Sequence, residues 1–529
     1  MTASAGAGMP LRNYRLHRYV NAFCPHCHEE NPDQPLAEVQ RLSGWLADRD
    51  GVVWLERGCR EHGLVRTLYD ESAEILTYLE QWTAPTKEHL PDVQGNFKPV
   101  PEAYEDGLPE MQTQHTCILL EDITDHCNLQ CPTCFASASP ALANVAPLQE
   151  VLDSIDARLE KENDRLDVVM LSGGEPTLYP YLEQLLEHLV ARPIVRILIN
   201  TNGLRIAKDD EFVGVLKKHR ERVEIYLQFD GESEEASRHH RGGDIRRFKD
   251  QAIDRLAKSG VFMTLTMTAA LGVNDDEIGA VINRAKETPY VGGVTIQPVF
   301  GSGRSAGVDP QDRLTHTGVL ARLGPQTNGE ITWQDLTALP CSHPHCCSVG
   351  YFLKDDSNQW QSLVALIGHD RLKEFLDINP DVIANRIADS DFNKEVREVV
   401  KSSLMDLLSE QSSLSHPTMV DIWRDICVNC DLGIGTLTTL AASKLPGQHQ
   451  RMRRMLAERV LRITIKPFMD INTMIEERLI QCCVHVATVN EETSNHQCAP
   501  FCAVQAWKPL SDSRISTATG QRQLSLRAL

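Results

Sequence analysis

The stretch Cys127-Asn-Leu-Gln-Cys131-Pro-Thr-Cys134-Phe135 carries three cysteines at spacings of four and three. Three thiolates in one short loop can bind three irons of a cubane iron–sulfur cluster and leave the fourth iron without a protein ligand. Such an open iron is a place where chemistry can occur. The same spacing is also found in zinc knuckles, so the motif alone leaves both kinds of metal site open.

A second motif, Gly173-Gly174-Glu175-Pro176, lies further along the chain. Together with the cysteine spacing and the aromatic Phe135, it resembles the radical S-adenosylmethionine (SAM) superfamily. The resemblance implies a 4Fe–4S cluster on the three cysteines, with the open iron chelating the methionine part of SAM. It further implies that one electron from the cluster cleaves SAM to a 5′-deoxyadenosyl radical, with Phe135 near the cluster and the adenine.

The composition is typical of an intracellular enzyme. The chain has 529 residues, which predicts two or three domains, and a formal net charge of -20, which disfavours a nucleic-acid partner. We find neither a secretory signal peptide nor an apolar run of membrane-spanning length, and therefore expect a cytoplasmic protein. Because a reducing compartment disfavours disulfides, the 16 cysteines indicate metal ligation.

Residues 1–90 are predicted to form an N-terminal Cys/His metal-knuckle domain. Cys24 and Cys27 lie on a Cys-Pro-His-Cys turn, and Cys59 and His62 lie on a Cys-Arg-Glu-His turn. Three sulfurs and one imidazole complete a tetrahedral site for a mononuclear zinc or iron ion. The sequence leaves open whether this site takes part in catalysis. Residues 91–110 are proline-rich, charged and aperiodic, which predicts a linker.

Residues 111–305 alternate between short apolar runs and helical patterns. The predicted strands are Cys117–Glu121, Val168–Ser172, Val195–Asn200, Val223–Phe229, Phe262–Thr268 and Gly293–Val299. Buried strands in β–α repeats form a parallel sheet, and right-handed crossovers curve it into part of a barrel. We therefore predict an α/β fold, a partial (βα)6 TIM-like barrel, with its active site at the carboxyl ends of the strands.

Several polar residues follow these strands and are candidates for binding SAM. Glycines let the backbone approach a ligand, a carboxylate can accept from an ammonium group, and an arginine can pair with a carboxylate. The resemblance further implies that the backbone near Ile296 lies against the adenine of SAM. An isolated Asn-Gly or Asp-Gly pair can equally form a simple turn that binds no ligand. The candidate cofactor-binding residues are Phe135, Gly173, Gly174, Glu175, Asn200, Asn202, Gln228, Asp230, Arg238, Arg241 and Ile296. No catalytic residue is assigned.

Residues 306–510 are predicted to form a C-terminal cysteine-rich auxiliary-cluster domain, followed by a flexible tail at 511–529. The nine thiols in this region exceed the needs of one cluster, so we expect auxiliary 4Fe–4S clusters. We interpret Cys117, on the first predicted strand, as a buried core thiol instead. The candidate auxiliary ligands are Cys341, Cys346, Cys427, Cys430, Cys482, Cys483, Cys498 and Cys502.

The N-terminal knuckle, the Cys341-Ser-His-Pro-His-Cys346 motif and the Lys466-Pro-Phe-Met-Asp470 segment resemble one radical SAM subfamily over nearly the whole chain. It contains archaeal tetraether lipid synthases, and some members have been described as dihydropterin methyltransferases. The resemblance implies hydrogen abstraction from an unactivated carbon and C–C bond formation on lipid alkyl chains. Transient contact with a membrane surface and a reducing electron donor such as ferredoxin or flavodoxin would accompany that activity.

Two alternatives stay open. Methylation of a pterin-like small molecule, or maturation of a peptide, predicts an aromatic stacking site or a basic groove instead of an apolar tunnel. A non-enzymatic iron–sulfur scaffold for electron transfer is the other alternative, and the intact Gly-Gly-Glu motif disfavours it.

Overall fold

The computed structural model describes residues 14–34, 38–82, 116–162, 164–339, 342–355, 357–375, 457–489 and 496–507. The candidate ligands Cys341, Cys427 and Cys430 lie outside the described residues, as do the predicted linker and the predicted tail.

The N-terminal residues form a four-stranded antiparallel sheet in the order β1-β2-β3-β4. Asp50 and Gly51 both have positive φ, 55° and 88°, as a two-residue turn between β2 and β3 requires. The turn between β3 and β4 carries His62 next to Cys59, which ends β3. The elements are β1 (Tyr14–Ala22), α1 (Pro25–Glu30), β2 (Leu42–Arg49), β3 (Val52–Cys59), β4 (Gly63–Asp70) and α2 (Ala73–Glu80).

A second sheet contains all six predicted strands as parallel neighbours, each within three residues of its predicted bounds. They are β5 (Ile118–Thr124), β6 (Leu166–Gly173), β7 (Ile194–Thr201), β8 (Val223–Gln228), β9 (Met263–Ala269) and β10 (Val291–Pro298). The intervening helices are α3 (Leu148–Lys161), α4 (Leu182–Val190), α5 (Leu204–Lys208), α6 (Asp210–His219), α7 (Glu234–Arg241), α8 (Arg246–Ser259) and α9 (Ile278–Glu287). The predicted α/β fold with a parallel sheet is confirmed.

The elements after β10 are α10 (His316–Gln326), β11 (Thr337–Ala338), β12 (Ser348–Lys354), β13 (Trp360–Ser362), α11 (Leu363–Ile367), α12 (His369–Phe375), β14 (Val460–Ile465), α13 (Glu476–Ile480), β15 (Val484–Val489), β16 (His496–Pro500) and α14 (Phe501–Ala506). β14 pairs in parallel with β10, and β15 pairs in parallel with β5. The parallel strands therefore run β14-β10-β9-β8-β7-β6-β5-β15, with antiparallel β12 and β16 beyond them. The described part of the C-terminal region thus extends the barrel sheet at both edges, where we expected a partial barrel of six strands and a separate domain.

Side chains alternate between the two faces of this sheet. In β6, Val169 and Leu171 pack in an outer core beneath the helices, whereas Val168 and Met170 join an inner core. The inner core also contains Phe501 of the C-terminal segment and residues of the N-terminal sheet. The concave face of the sheet is therefore covered by both flanking regions, and the cavities described below lie there. No helix among the described residues combines the length and apolarity needed to cross a bilayer.

Candidate active site and metal centres

A cavity of about 1190 Å³ lies at the carboxyl ends of the parallel strands. The three motif cysteines, Cys127, Cys131 and Cys134, line it. Because parallel strands all end at the same edge of a sheet, residues from several strands converge there. The predicted cofactor-binding residues that also line the cavity are Phe135, Gly173, Gly174, Glu175, Asn200, Asn202, Gln228 and Arg241.

The glycines of the Gly-Gly-Glu motif pack against the backbone that leads into the cysteine loop. Gly174 N donates to Thr124 O at 2.6 Å, and Glu175 N donates to His126 O at 2.8 Å. A Cβ on Gly173 would lie 2.2 Å from Thr124 O, and one on Gly174 would lie 2.2 Å from His126 O. We expected these glycines to let the backbone approach a ligand. In the structure they let the end of β6 approach the cysteine loop.

Arg304, which was not among the candidate site residues, holds the cysteine loop from another side. Its Nε donates to Cys131 O at 2.6 Å, its Nη2 donates to Ala138 O at 2.8 Å, and its backbone N donates to Cys134 O at 3.0 Å. The Gly-Ser-Gly-Arg run directly after the last predicted strand was the signal that could have found it.

Glu175 is 1% exposed and binds the loops that follow β6 and β7. Its Oε1 accepts from Thr177 N at 3.1 Å, from Thr177 Oγ1 at 2.6 Å and from Thr201 Oγ1 at 2.6 Å. Its Oε2 accepts from Asn202 N at 2.8 Å, and Asn202 Nδ2 donates to Asn128 Oδ1, inside the cysteine motif, at 2.7 Å. This carboxylate therefore organises the site through protein donors, and its contact with a SAM ammonium group stays a prediction.

Arg241 places a buried positive charge beside the cysteine loop. Its Nε and Nη2 each lie 2.6 Å from one carboxylate oxygen of Asp230, and its Nη1 lies 3.9 Å from Cys131 Sγ. Nη2 also donates to Gln228 Oε1 at 2.9 Å, and Gln228 Nε2 donates to Asn200 Oδ1 at 2.9 Å. Polar residues from the ends of β7 and β8 thus form one network with a guanidinium at the cavity wall.

We expect Asp230→Asn to lower the free energy of unfolding by about 3 kcal/mol at neutral pH, because it leaves the Arg241 guanidinium buried without its anion. Although burial opposes ionisation, Arg241 lowers the pKa of Asp230 from 3.8 to about 2. A lowered carboxyl pKa stabilises the fold above the unfolded pKa, and this contribution is lost as pH falls through the folded pKa. Urea unfolding should therefore show a difference between parent and variant that shrinks between pH 4 and pH 2.

The matched control is Arg238→Ala. Arg238 is also in the last turn of α7, but its side chain is 63% exposed and pairs with Glu234 at 2.6 Å. An exposed pair of this kind contributes about 0.5 kcal/mol or less. Equal losses in the two variants would contradict the role assigned to Asp230.

Three predicted cofactor-binding residues do not line the cavity, and one of them, Asp230, lies behind Arg241, which it binds. Arg238 borders a neighbouring groove on the surface. The side chain of Ile296 is fully buried in the outer core, and its carbonyl accepts from Lys466 N at 3.0 Å. Because side chains alternate along a strand, Gln297 lines the cavity in its place. The side chain of Arg238 therefore lies outside the cavity, and contact of the Ile296 backbone with the adenine stays a prediction.

The three cysteines of the loop fit an iron–sulfur cluster. Cys127 and Cys131 are 9% and 8% exposed, and Cys134 is half-buried. Burial raises the pKa of the Cys127 thiol to about 12, so a thiolate at this position needs the positive charge of a metal group. Three thiolates on one short loop can bind three irons of a cubane cluster and leave the fourth iron open.

The N-terminal site brings together all four predicted ligands. The ligand atoms of Cys24, Cys27, Cys59 and His62 all lie within 4.8 Å of one another. His62 Nδ1 is 3.5 Å from Cys24 Sγ, 3.3 Å from Cys27 Sγ and 3.6 Å from Cys59 Sγ, and His62 Nε2 is 3.2 Å from Glu30 Oε1. A carboxylate on the outer nitrogen orients an imidazole for metal binding. Three sulfurs and one nitrogen in this arrangement fit a single tetrahedral metal ion.

A second group of thiols lines a cavity of about 780 Å³ on the concave face of the sheet, here termed the C-terminal cysteine cavity. It adjoins the first cavity, because Ile118, Phe468 and Phe501 line both. Its cysteines come from the loop before β12, from the loop before β15, from α14 and from the residue before β5. They are Cys117, Cys346, Cys347, Cys482, Cys483 and Cys502.

Two cysteines outside the candidate ligands also line this cavity. Cys117, interpreted as a buried core thiol, is buried in the inner core at 5% exposure and contributes to the lining, and so does Cys347. Cys498 lies apart from this group, half-buried on β16, where its thiol faces Arg158 and Lys161 of α3. Because Cys347 directly follows Cys346, the sequence could have indicated Cys347 as a candidate ligand. The position of Cys498, in contrast, depends on how β16 pairs in the sheet.

Two family models match the chain. Residues 122–285 match the radical SAM superfamily, and residues 16–71 match the HMPTM N-terminal zinc ribbon domain. A curated relative, 7,8-dihydro-6-hydroxymethylpterin dimethyltransferase from Methanocaldococcus jannaschii, is 26% identical over 91% of this chain and 92% of its own length.

Solved structures also match. SuiB from Streptococcus suis bound to S-adenosylmethionine aligns with 35% of this chain and 41% of that chain, at 18% identity and a TM-score of 0.30. A radical SAM methyltransferase from Sphaerobacter thermophilus aligns with 54% of this chain and 70% of that chain, at 12% identity and a TM-score of 0.30. The chain thus covers less than half the length of the first of these structures.

Residues 122–285 are a radical SAM domain, and the chain is a radical SAM enzyme. It uses SAM and a 4Fe–4S cluster, it acts on a substrate with the help of an electron donor, and an N-terminal zinc ribbon with a fitting Cys/His metal site precedes the barrel.

Proposed function

We propose that this enzyme methylates a carbon of a reduced pterin carrying a hydroxymethyl group, or of a closely similar fused ring. The name of the Methanocaldococcus jannaschii relative, whose match extends over nearly the whole of both chains, supports this substrate class. The comparisons give no support for joining lipid alkyl chains, the activity that we expected first.

The observation that carries the proposal is the mixed lining of the active-site cavity. Four phenylalanines form one side, with ring centroids 4.4 Å apart for Phe468 and Phe501, 5.4 Å for Phe135 and Phe501 and 5.5 Å for Phe300 and Phe468. Such rings offer faces and edges on which a flat heterocycle can stack. An alkyl chain needs only apolar surface, whereas this cavity also presents several polar side chains.

Three of these polar residues are Gln297, Tyr226 and Lys466. Gln297 Nε2 donates to Tyr226 Oη at 3.3 Å, and both side chains line the cavity with Lys466. A pterin carries ring nitrogens, a carbonyl and an amino group, which need donors and acceptors when they leave water. The combination of stacking surface and hydrogen-bonding groups favours a polar ring over a hydrocarbon.

The bound cluster and SAM supply a carbon-centred radical, which can take hydrogen from a carbon that has no acidic proton. The chain supplies position and a dry site. Arg304 and the Gly-Gly-Glu motif hold the loop of Cys127, Cys131 and Cys134, and the Arg241 guanidinium offsets the negative charge of its thiolates. The phenylalanine cluster excludes water from the radical. We propose ferredoxin or flavodoxin as the class of electron donor.

We further propose that the C-terminal cysteine cavity binds an auxiliary iron–sulfur cluster. Six thiols line it, which is more than the four ligands that one zinc ion takes. A group of several irons can use thiolates from several segments of the chain. Cys346, Cys482, Cys483 and Cys502 are the predicted ligands within this set, and Cys117 and Cys347 are further candidates.

The test is an anaerobic assay of the reconstituted full chain with dithionite, SAM and 6-hydroxymethyl-7,8-dihydropterin. One SAM, cleaved with one electron from dithionite, removes a hydrogen atom from the pterin, and a second SAM gives its methyl group to that carbon with a second electron. We therefore expect 5′-deoxyadenosine, methionine and S-adenosylhomocysteine together with a pterin product heavier by one methylene for each methyl group added, detected by mass spectrometry. The matched control is Cys127→Ala, which should give none of these products. Active SAM cleavage without a methylated pterin, together with coupled alkyl chains in lipid extracts or contact with vesicles, would contradict the pterin proposal and favour the lipid activity.

A further inference from the structure

Arg478 lies on α13 with its guanidinium at the wall of the C-terminal cysteine cavity. The residue is 6% exposed, its Nε lies 3.2 Å from Cys346 Sγ, and its Nη2 donates to Pro467 O at 2.6 Å. A cationic N–H donor aimed at a sulfur makes a charge-assisted hydrogen bond when that sulfur is a thiolate. The Pro467 contact ties the same side chain to the segment after β14, so its position is fixed on two sides.

The charges around this cavity are one-sided. Its described lining residues include three cations, Arg462, Lys466 and Arg478, and no carboxylate. A metal deprotonates the cysteines that ligate it, because metals bind thiolates and not thiols. Cysteine ligands in this cavity therefore place negative charge beside these cations. The cavity is therefore suited to a thiolate-ligated group with net negative charge.

His345, the residue before Cys346, anchors the loop that carries this cysteine. His345 Nδ1 lies 2.9 Å from Tyr69 Oη, and His345 Nε2 lies 3.1 Å from Glu80 Oε1. His345 and Tyr69 are both fully or almost fully buried. These contacts join the Cys346 loop to the N-terminal unit, so the sulfur is presented to Arg478 by a rigid frame.

We propose that Arg478 is a positioning residue of this cavity: it holds the Cys346 sulfur as a ligand and raises the reduction potential of the metal group bound there. The proposal rests on the auxiliary cluster proposed above. A positive charge close to the ligands stabilises the reduced form of such a group, which carries one more negative charge than the oxidised form. Potentials of iron–sulfur clusters respond to charge and to hydrogen bonds on sulfur, and Arg478 supplies both.

The experiment uses the full chain with Cys127, Cys131 and Cys134 all replaced by alanine, so that the radical SAM cluster does not contribute. Iron and acid-labile sulfide are measured after anaerobic reconstitution, and the potential is measured by a redox titration followed by electron paramagnetic resonance. In this background Arg478→Gln removes the positive charge, and Cys346→Ala removes the sulfur. Arg478→Lys keeps the charge but loses the planar guanidinium that donates to two partners at once. Arg322→Gln is the control, because Arg322 is a half-buried arginine that pairs with Glu71 and Asp275.

We expect Arg478→Gln to favour the oxidised form at least tenfold, a negative shift of 59 mV or more, with a smaller negative shift in Arg478→Lys and none in Arg322→Gln. Loss of iron from Arg478→Gln with an unchanged circular-dichroism spectrum would also support the positioning role. If Arg478→Gln does not fold, the reduction potential measured for Arg478→Lys tests the proposal instead. If every Arg478 variant that folds has the same reduction potential as the parent, the proposal for Arg478 is wrong. If Cys346→Ala kept the parent's iron, sulfide and potential, the auxiliary site built on Cys346 would itself be wrong.

Discussion

Alanine in place of any one of Cys127, Cys131 or Cys134 is expected to abolish reductive cleavage of SAM, lowering the rate by at least about 100-fold. Each thiolate binds one iron, and the three line the same cavity beside the Gly-Gly-Glu motif. With one thiolate gone, the iron it held has no protein ligand, and the cluster cannot keep both its structure and its open iron. The measurement is 5′-deoxyadenosine by chromatography after anaerobic reconstitution and reduction with dithionite.

The matched control for this experiment is Cys498→Ala. Cys498 was a candidate metal ligand, but the structure places it on β16 beside α3 and outside the lining of both cavities. Its removal should leave SAM cleavage close to the parent rate. Undiminished 5′-deoxyadenosine from a chain lacking all three loop cysteines would refute the assignment of the radical SAM cluster.

Gly174→Ala is expected to have the next largest effect, because its new Cβ would lie 2.2 Å from His126 O and 2.8 Å from Asp125 C. Both are backbone atoms, so a side-chain rotation cannot relieve the overlap. The hydrogen bonds from Gly174 N to Thr124 O and from Glu175 N to His126 O join these segments and would be pushed apart. We expect a loss of about 3 kcal/mol in the free energy of unfolding, and loss of most of the iron bound by the loop.

The control for this substitution is Gly214→Ala. Gly214 lies inside α6, and no atom lies within 4 Å of the Cβ that the substitution adds. Alanine forms helix better than glycine, so this variant should gain about 0.5–1 kcal/mol. Iron content, SAM cleavage and urea unfolding measured on both variants separate a local overlap from a general effect of adding a methyl group. Full iron binding by Gly174→Ala would show that the close approach is not needed.

Short-range patterns in the sequence predicted the parts of this protein that depend on short-range chemistry. The cysteine loop is one such part, because its ligands lie within one turn of chain and need no distant partner to be recognised. The six barrel strands are another, since each is a buried apolar run whose length and flanking turns suffice to predict it. The N-terminal metal site was also predicted from two local motifs, and the antiparallel sheet brings Cys24, Cys27, Cys59 and His62 together.

Other features of the structure depend on contacts between segments that are distant in sequence. The pairing of β14 with β10 and of β15 with β5 could not be predicted, because both strands lie outside the six predicted β–α repeats and a sheet edge accepts any strand with a suitable backbone. Arg238 and Arg241 lie three residues apart with the same charge, yet only Arg241 reaches the cavity, because Asp230 and Gln228 hold it there. Ile296 points away from the site because of the register of β10 alone.

The sequence by itself determined the radical SAM chemistry of this protein, the α/β barrel and the N-terminal metal ligands, because in each case the ligands or the apolar residues of one unit are close in sequence. The tertiary structure alone decided which thiols share the C-terminal cysteine cavity, that Cys117 and Cys347 line it and Cys498 does not, and that Arg304 and Arg478 hold cysteine loops distant in sequence. Such sites are assembled only when distant segments fold together, so their members carry no common local pattern.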